Sequence, residues 1–561
     1  IYTTGIFLFI LLPLYAQKEA NIWYFGRNAG VDFNSGAPVP LTNGQLSTSE
    51  GCATISDANG NLLFYTDGIT VWDRNHNVMP NGTGLMGHPS SAQSAIIVPR
   101  PGSKTIYYIF TVPYSATPAV GLRYSEVDMS LRSGLGDITV NKNILLASPA
   151  CEKLTSVKHA NGVDYWVIIK KTNTNQFNAF HVDCNGVNTT PVVSNAGINT
   201  NTWGYLAASP DGKRLAMAEN SPGFELYDFD NATGVVSNPI LLGNGGGAYG
   251  VAFSPDNNLL YGLRIHGGAI YQWNLLAGSP AAIIASATQI GTAVGTGSPY
   301  MGGALQLATD GKIYVPDFNW PSLSVINNPN VPGLGCNFQT SVVNLLGRNA
   351  VLGLPPFVSG FFAPDFTVSD SCQNRPVTFN IAADTSLIDS VKWDFGDPLA
   401  GPGNYSTDFQ PTHTYTNPGL YLVKLTFYVS CAIDTVTDTV LINPAPVTTL
   451  NPSICQGDAF FAGGQWQTSP GAYYDTLSTY LGCDSIIITN LSVNPVKTTT
   501  IDTAICQGDA FFAGGQWQTN PGTYYDTLAT YLGCDSIIIT NLTVNPVKTT
   551  TIDTAICQGD A

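Results

Sequence analysis

The stretch from Glu50 to Asp73 constrains the fold most, because its plan recurs along the chain. It reads as two strands joined by a tight turn at Asn59-Gly60, then Asp67-Gly68 and a third strand ending at Asp73. Asn-Gly and Asp-Gly are dipeptides that favour tight turns between antiparallel strands. Five later stretches repeat the plan, with turns at Pro101-Gly102, Asn161-Gly162, Asp211-Gly212, Asp256 to Asn258 and Asp310-Gly311. Their third strands are predicted to end at Asp128, Asp183, Asp228, Asn274 and Asn327.

An irregular period of about 50 residues, made of short strands and turns, predicts a β-propeller over residues 21–364. Ile22 to Phe25 and Gly30 to Phe33 look like the last two strands of a unit, with no strands before them. Ser341 to Leu345 and Leu354 to Phe361 look like the missing first two. Joined across the ring, these four strands would make a seventh blade and remove the open sheet edges. We therefore predict seven blades, with six or eight as the alternatives.

The composition favours strands and turns over helices. Charged residues make up 11% of the 561 residues, against roughly 25% in an average soluble domain. The net charge is −16 with only 22 basic residues, which leaves no basic surface to neutralise a phosphate backbone. We expect an all-β protein that does not bind nucleic acid.

The first residues resemble an export signal. Ile6 to Leu14 is an apolar run followed by Leu14-Tyr15-Ala16, so residues 1–16 are predicted to be a signal peptide whose basic start is missing. The run is too short to span a bilayer, and no other stretch is long and apolar enough. We expect an exported protein that is extracellular or held at the outer-membrane cell surface, with both ends of the sequence truncated.

Residues 365–443 carry a different pattern. Val391 to Asp397 reads VKWDFGD and is followed by His413-Thr414-Tyr415 and Pro418-Gly419. These segments resemble the PKD domain, a small immunoglobulin-like β-sandwich. The resemblance implies that Trp393 lies in the core and that the strand from Tyr421 to Phe427 lines the inner face. Pro398 departs from the glycine common in that family, which affects only the shape of its loop.

A tandem repeat with a period of 51 residues follows. The predicted modules are residues 444–494 and 495–545, with the start of a third at 546–561; Cys455, Cys506 and Cys557 open them, and Cys483 and Cys534 recur within the first two. Each module is too small to bury much apolar surface, so we predict disulfides Cys455–Cys483 and Cys506–Cys534. Metal binding is the alternative, but no CxxC or neighbouring histidine supports it.

The other cysteines are less constrained. Cys372 and Cys431 bracket the PKD-like region and are predicted to pair. Cys52, Cys151, Cys184 and Cys336 lie in the propeller region, where sequence alone does not connect them.

No constellation for catalysis is visible in the sequence. The six histidines, which are His76, His88, His159, His181, His266 and His413, show no metal-ligand spacing, and no nucleophile or phosphate-loop motif occurs. Matching strand ends carry carboxylates that are expected to cap turns, or alternatively to form a calcium-binding ring: Asp73, Asp128, Asp183 and Asp228. We predict no catalytic residue and no cofactor, with calcium as the one alternative.

The turns Ser209 to Lys213 and Ser254 to Asn257 resemble those of WD-repeat-like and TolB-like propellers. With the PKD-like domain and the ICQGDAFFAGGQW repeats, the chain resembles large exported Bacteroidota surface proteins of the type IX secretion and gliding-motility-associated kind. The propeller resemblance implies a binding scaffold, and the resemblance of the whole chain implies an exported surface protein. We predict that it is not an enzyme.

The leading hypothesis is an adhesion protein, a monomer whose propeller is a binding head for an extracellular glycan or protein and whose repeats form a stalk. A secreted glycan-active lyase or hydrolase and a structural matrix component are the alternatives, because propellers support unrelated functions.

Overall fold

The computed structural model describes residues 17–200, 203–297, 299–477, 483–529 and 533–555. The predicted signal peptide and Cys557 lie outside these residues. The chain divides into two compact units. The first comprises residues 1–369, 377–413 and 420–440, and the second comprises residues 370–376, 414–419 and 441–561.

Seven consecutive antiparallel sheets build the propeller. In chain order their strands are, for sheet 1, β1 (Ile22–Phe25), β2 (Ala29–Asp32) and β3 (Val39–Leu41); for sheet 2, β4 (Ala53–Ser56), β5 (Leu62–Thr66) and β6 (Val71–Asp73); for sheet 3, β7 (Ala95–Pro99), β8 (Ile106–Thr111), β9 (Leu122–Asp128), β10 (Asp137–Ile138) and β11 (Ile144–Ala147); for sheet 4, β12 (Leu154–Lys158), β13 (Tyr165–Lys170), β14 (Thr174–Asp183), β15 (Gly186–Val187) and β16 (Val192–Thr200); for sheet 5, β17 (Leu206–Ala208), β18 (Arg214–Glu219), β19 (Gly223–Asp230) and β20 (Val235–Asn244); for sheet 6, β21 (Ala248–Phe253), β22 (Leu259–Arg264), β23 (Ala269–Asn274) and β24 (Thr288–Thr292); and for sheet 7, β25 (Gln306–Leu307), β26 (Ile313–Pro316), β27 (Ser322–Ile326) and β28 (Phe338–Asn344). The prediction of seven blades is confirmed.

The turn chemistry explains why these segments form hairpins. In the turn between β4 and β5 the Asp57 carboxylate accepts hydrogen bonds from the backbone N–H groups of Asn59 and Asn61. Gly60 adopts φ +87° there, which a side chain would disfavour. The third strands end at Asp128, Asp183 and Asn274 as predicted, whereas β19 runs to Asp230 and β27 ends at Ile326.

The predicted closure of the ring is wrong in its strand assignment. Ser341 to Leu345 does not start a new blade, since β28 is the outer strand of sheet 7 and pairs with β27. The segment from Leu354 to Phe361 is buried but forms no strand. Pro355 and Pro356 lack the N–H groups that a strand ladder needs. The N-terminal strands form sheet 1 by themselves, and the Arg27 N–H donates to the Asn349 carbonyl across the seam (2.9 Å).

Aromatic packing completes the seam. The fully buried ring of Trp23 lies 4.8 Å from Phe33, 5.8 Å from Tyr314 and 6.1 Å from Phe357, measured between centroids. These residues come from sheet 1, sheet 7 and the segment that precedes the next domain. The hydrophobic effect therefore holds the two ends of the propeller sequence together.

Helices are few in the described part of the chain. It has one α-helix, α1 (Pro280–Ala285), whose N-cap Ser279 accepts a hydrogen bond from the Ala282 N–H. Short 3-10 helices lie at Lys18–Ala20, Pro118–Val120, Leu131–Gly134, Gly333–Cys336, Ser359–Phe362, Thr385–Leu387 and Pro398–Asn404. None of the described helices has the length and apolar character that crossing a membrane requires.

The PKD-like region forms two small sheets. Their strands are β29 (Phe366–Ser369), β30 (Pro376–Ile381) and β33 (Thr412–Thr414) in one, and β31 (Ser390–Asp394), β32 (Tyr405–Ser406), β34 (Gly419–Val429) and β35 (Ala432–Ile442) in the other. Trp393 is fully buried, and its ring lies 5.2 Å from that of Phe366 and 5.4 Å from that of Phe379. The predicted core position of Trp393 is confirmed. Val423, Leu425 and Phe427 are buried as expected, but Tyr421 stays partly exposed.

The tandem modules share one arrangement. Their strands are β36 (Val447–Leu450), β37 (Ser453–Cys455), β38 (Phe460–Ala462), β39 (Gln465–Gln467), β40 (Gly471–Leu477) and β41 (Ser485–Asn494), then β42 (Lys497–Cys506), β43 (Phe511–Ala513), β44 (Gln516–Gln518), β45 (Gly522–Ala529) and β46 (Asp535–Asn545). In the first module β41 pairs antiparallel with β40 and parallel with β36 and β37. In the second module β46 pairs antiparallel with β45 and parallel with β42.

The predicted disulfide partners are wrong, although five of the six predicted cysteines do form disulfides. The structure pairs Cys184 with Cys431, Cys372 with Cys483, and Cys455 with Cys534. Cys506 pairs with no cysteine of the described residues and is exposed. Cys52, Cys151 and Cys336 are buried free thiols.

The strand register explains the error. Cys455 aligns with Asn494 at the end of β41, whereas Cys483 lies just before that strand begins. Ten residues of strand span about 33 Å, far beyond the 4.4–6.8 Å between Cα atoms that a disulfide allows. Cys506 and Cys534 lie in the same way at opposite ends of β46. Cys431 likewise precedes β35, and Cys372 bridges Asn443 just after it.

Candidate functional site

One end of the propeller ring gathers most of its unusual side chains. Because neighbouring strands are antiparallel, the loops that enter each first strand and the loops that leave each second strand emerge at the same end. We call this end the rim. Ionisable residues at the rim include Glu50, Asp67, Glu152, Lys153, Lys170, Glu219 and Asp317, with Glu225 just inside β19. Four of the chain's six glutamates are among them.

Several of these groups are fixed by structural partners. Glu152 accepts hydrogen bonds from the backbone N–H groups of Ala92 (2.8 Å) and Ser115 (2.7 Å), one on each oxygen, which ties sheet 4 to the loops around sheet 3. Lys153 and Glu219 form an ion pair of 3.0 Å that is almost completely buried. Buried ion pairs and carboxylates of this kind bring about specific packing, because removing one partner leaves a charge without compensation.

Asp317 is held by hydroxyl groups. Its carboxylate accepts hydrogen bonds from Ser322, Ser324 and Ser341 at 2.5–2.9 Å. Burial raises the pKa of this carboxyl group, and the three serine hydrogen bonds oppose the shift. Since the three serines lie on β27 and β28, Asp317 serves to order sheet 7 rather than to face a ligand.

Glu50 is a rim carboxylate that accepts a hydrogen bond from another side chain. It is only partly buried, and the Tyr249 hydroxyl donates to its Oε2 (2.7 Å). Burial, with a smaller contribution from the charge of Glu152, raises the pKa of Glu50 to about 8. Glu50 is therefore largely protonated at neutral pH and can donate a hydrogen bond to a ligand oxygen.

A second polar network lies out of reach of solvent. Lys170 Nζ is 3.2 Å from the Tyr227 hydroxyl, and that hydroxyl donates to Glu225. Burial lowers the pKa of Lys170 to about 8, but its side chain is fully buried. This network is therefore internal and is no site for a ligand.

The Gln93 side chain links the first strands of sheets 4 and 5. Its Oε1 accepts from the backbone N–H groups of Leu154 (3.1 Å) and Leu206 (2.7 Å), and its Nε2 donates to the Leu206 carbonyl (3.0 Å). The cavity beside it has a volume of about 50 Å³, far below the roughly 300–1,000 Å³ of small-molecule pockets. The cavity beside Gln93 is therefore too small for such a ligand.

The outer surface of the rim presents aromatic rings. His88 stacks on Tyr114 with 4.1 Å between centroids, and His266 lies 5.3 Å from Tyr300. Trp320, in the loop that leaves β26, is 42% exposed. Partly exposed aromatic rings beside hydrogen-bonding groups suit ligands that have both apolar faces and hydroxyl groups.

The strand-end carboxylates act as turn caps, in line with the first of the two sequence interpretations. The Asp73 Oδ1 accepts from the N–H groups of Asn75 and Asn77. Asp128 accepts from the Ser130 N–H, and Asp183 from the Asn185 N–H. Asp228 accepts instead from the side chain of Asn238.

The structure also brings together residues that the sequence keeps apart. Ligand atoms of His159, Asp164 and His181 lie within 4.8 Å of one another, although their sequence spacing follows no metal-binding motif. The signal that sequence reasoning missed is strand register, since His181 pairs with Trp166 only two residues from Asp164.

Comparison with known proteins supports the architecture. Residues 365–430 match the PKD domain, as the WDFGD and HTY segments predicted. No curated protein sequence is detectably similar to the chain.

Solved structures resemble it only at the level of fold. One is a protein of unknown function from Desulfotomaculum acetoxidans, at 13% identity and a TM-score of 0.36, with 60% of this chain and 99% of that chain covered. Another is a candidate 6-phosphogluconolactonase from Bacteroides uniformis, at 12% identity and 0.34, with 68% and 100% covered. A third is Kluyveromyces lactis Hsv2, at 9% and 0.34, with 55% and 90% covered. These similarities are too distant to carry an argument about activity. The sheets and the PKD match define an all-β multidomain protein with a seven-bladed propeller and a PKD domain.

Proposed function

We propose that this is a non-enzymatic extracellular binding protein in which the propeller rim is the ligand-binding surface and the tandem modules form a stalk. The observation that carries the proposal is the pattern of disulfides. Each of the three bonds joins a different pair of modules: propeller with PKD domain, PKD domain with first repeat, and first repeat with second. Disulfides persist in oxidising, extracellular surroundings, and this pattern adds a second covalent link, besides the backbone, between each pair of neighbouring modules.

The junction of propeller and PKD domain supports the same role. Besides the Cys184–Cys431 bond, Lys158 pairs with Asp365 (2.5 Å), and the Asp384 N–H donates to the Ala160 carbonyl (2.8 Å). Both ion-pair side chains are nearly buried, at 13% and 12% exposure. A head fixed in this way to its first stalk domain suits a protein that must hold a ligand at a distance from its anchor.

A glycan is the ligand class that the rim favours. The exposed ring of Trp320 and the stacked pair His88 and Tyr114 offer flat faces, while Glu50 offers a hydrogen-bond donor. The acidic net charge of −16 disfavours acidic ligands. A neutral or cationic polyhydroxyl ligand fits these features best.

Glycan hydrolysis is a second candidate function, which Glu50 supports. Its pKa of about 8 suits a general acid, and glycosidases use two carboxyl groups. Both oxygens of the neighbouring Glu152, however, accept backbone hydrogen bonds, so Glu152 is held in a structural role and is not positioned as a nucleophile or base. Binding without turnover is therefore the better supported role.

The test is an array of glycans and extracellular-matrix proteins probed with the full disulfide-bonded chain, with and without calcium, while product release is measured in parallel. Saturable binding without product is the expected result. Release of product from any glycan would replace the proposal by the enzyme alternative. The absence of both binding and turnover would favour a purely structural role.

A further inference from the structure

Three side chains of sheet 4 form a compact cluster outside the rim. His159 lies in the turn between β12 and β13, Asp164 directly precedes β13, and His181 lies on β14 opposite Trp166. One nitrogen or oxygen atom from each lies within 4.8 Å of the others. His181 Nε2 and Asp164 Oδ2 lie 3.4 Å apart.

The cluster is oriented by its surroundings. The Asn161 side chain donates to Asp164 Oδ2 (2.8 Å), and its Oδ1 accepts from the N–H groups of Val163 and Asp164 (3.0 Å each). The ring of Trp166 lies 4.9 Å from that of His181 and forms an apolar wall. Metal ligands are typically held by such neighbouring hydrogen bonds and partly shielded from water.

The contact between His181 and Asp164 is long. The His181 Nε2 is buried and makes no well-formed hydrogen bond to any residue that the structure describes, and its 3.4 Å to Asp164 Oδ2 exceeds the usual 2.7–3.2 Å of an N–H···O bond. A cation bound between this nitrogen and Asp164 would replace the long contact by two metal bonds.

The fold does not require these residue types. In sheet 5 the equivalent turn begins at Ser209, whose N–H donates to the Arg214 carbonyl just as the His159 N–H donates to that of Asp164. By strand pairing, Leu226 takes the place of His181. The same hairpin therefore forms with serine, arginine and leucine, and the histidines and aspartate of sheet 4 are free for another role.

We propose that His159, Asp164 and His181 form a binding site for a divalent transition-metal cation of the Zn²⁺ class. Two imidazoles and one carboxylate are ligands that zinc prefers. Bond lengths of about 2.0–2.1 Å in a tetrahedral site place neighbouring ligand atoms about 3.3–3.4 Å apart, which is close to the distance between His181 Nε2 and Asp164 Oδ2. The three ligand atoms together span up to 4.8 Å, so the side chains would have to move closer to one another on binding.

His159 can complete the site by exchanging two hydrogen bonds for a metal bond. Its Nδ1 accepts from the Asn161 N–H, and its Nε2 lies 3.1 Å from the Ala232 carbonyl oxygen. On binding, the ring proton moves from Nε2 to Nδ1 by exchange with solvent, so the imidazole stays neutral and both hydrogen bonds are given up. The same turn contacts the PKD domain through the Ala160 carbonyl, so the cation would stiffen a segment of that junction.

The experiment is calorimetric titration of Zn²⁺ into the full chain, produced without a histidine tag, stripped with chelator and alkylated at Cys506. One saturable site is expected. H181Q and D164N should each weaken zinc binding at least tenfold. H159S should do the same, and it places in this turn the serine that sheet 5 has at the equivalent position, Ser209. H76N is the matched control, because His76 lies outside the cluster and its positive φ suits asparagine.

Circular dichroism in the presence of chelator first checks that each variant is folded. If H181Q or D164N does not fold, the zinc affinity of H159S still tests the proposal. The absence of a saturable site in the wild-type chain would overturn the proposal. Equal zinc affinity in the wild-type chain and in the folded cluster variants would also overturn it, since the cation would then bind elsewhere.

Discussion

Single residues decide how the rim responds to pH. Glu50 combines partial burial, a hydrogen bond from Tyr249 and the nearby charge of Glu152. Its folded pKa of about 8 lies above the ordinary value of 4.5. A carboxyl group whose pKa is raised by folding stabilises the fold below its unfolded pKa, and this contribution is lost as the pH rises through the folded pKa.

The first prediction follows from this pH dependence of the stability. The stability contributed by protonated Glu50 should decline between about pH 4.5 and pH 8. E50Q keeps a neutral side chain, so its Tm should exceed that of the wild-type chain by a few degrees at pH 8.5 but by much less at pH 5. Differential scanning calorimetry at both values measures the difference. Parallel pH profiles for the two proteins would contradict the assignment.

Burial at one position also sets the stability of the PKD domain. W393A removes a fully buried ring that contacts Phe366 and Phe379. The free energy of unfolding of this domain should fall by about 3–5 kcal/mol. Hydrogen exchange of peptides from β31 and β34 measures the loss. W466A, at a tryptophan that is 71% exposed, is the control and should change local stability by less than about 0.5 kcal/mol; similar losses for both would count against the core assignment.

At the scale of elements, the disulfides follow strand length rather than sequence proximity. The repeat predicted pairs inside each module because its two cysteines recur in a fixed context. The long strands β41 and β46 instead carry those two cysteines to opposite ends, so each reaches a neighbouring module. Each bond therefore closes a loop that extends across modules, with sequence separations of 111 and 79 residues.

This arrangement predicts a defined peptide map. Proteolysis without reduction should yield the pairs Cys184–Cys431, Cys372–Cys483 and Cys455–Cys534, and Cys506 should be alkylated in the native protein. C455S together with C534S should lower the free energy of unfolding of the modules by about 2–4 kcal/mol. Recovery of Cys455–Cys483 or Cys506–Cys534 peptides would show that the bonds lie within modules after all.

Local signals in the sequence were sufficient for much of the fold. The Asn-Gly and Asp-Gly turns located the hairpins, and the WDFGD segment located the PKD core around Trp393. Long-range pairings were not accessible in this way. The outer position of β28, the buried segment at Pro355-Pro356 and the partner of Cys431 depend on which strands meet, and no local pattern specifies that. The approach of His159 to His181 depends on the register of β13 and β14 for the same reason.

At the scale of the whole molecule, a seven-bladed propeller precedes a series of small domains that disulfides link to one another. Within the ring, Gln93 joins the first strands of sheets 4 and 5 through its side chain. The modules repeat with a period of 51 residues, which lets a stalk lengthen by duplication while each module contacts only its neighbours.

The most direct test of the central claim compares two exposed tryptophans. Once a ligand is found on the array, its Kd should be measured for the wild-type chain, for W320A at the rim and for W466A in the first repeat. The account predicts that W320A weakens binding at least tenfold and that W466A leaves the Kd unchanged. Loss of affinity in W466A with full affinity in W320A would place the binding surface on the repeats and contradict the assignment of the propeller as the binding head.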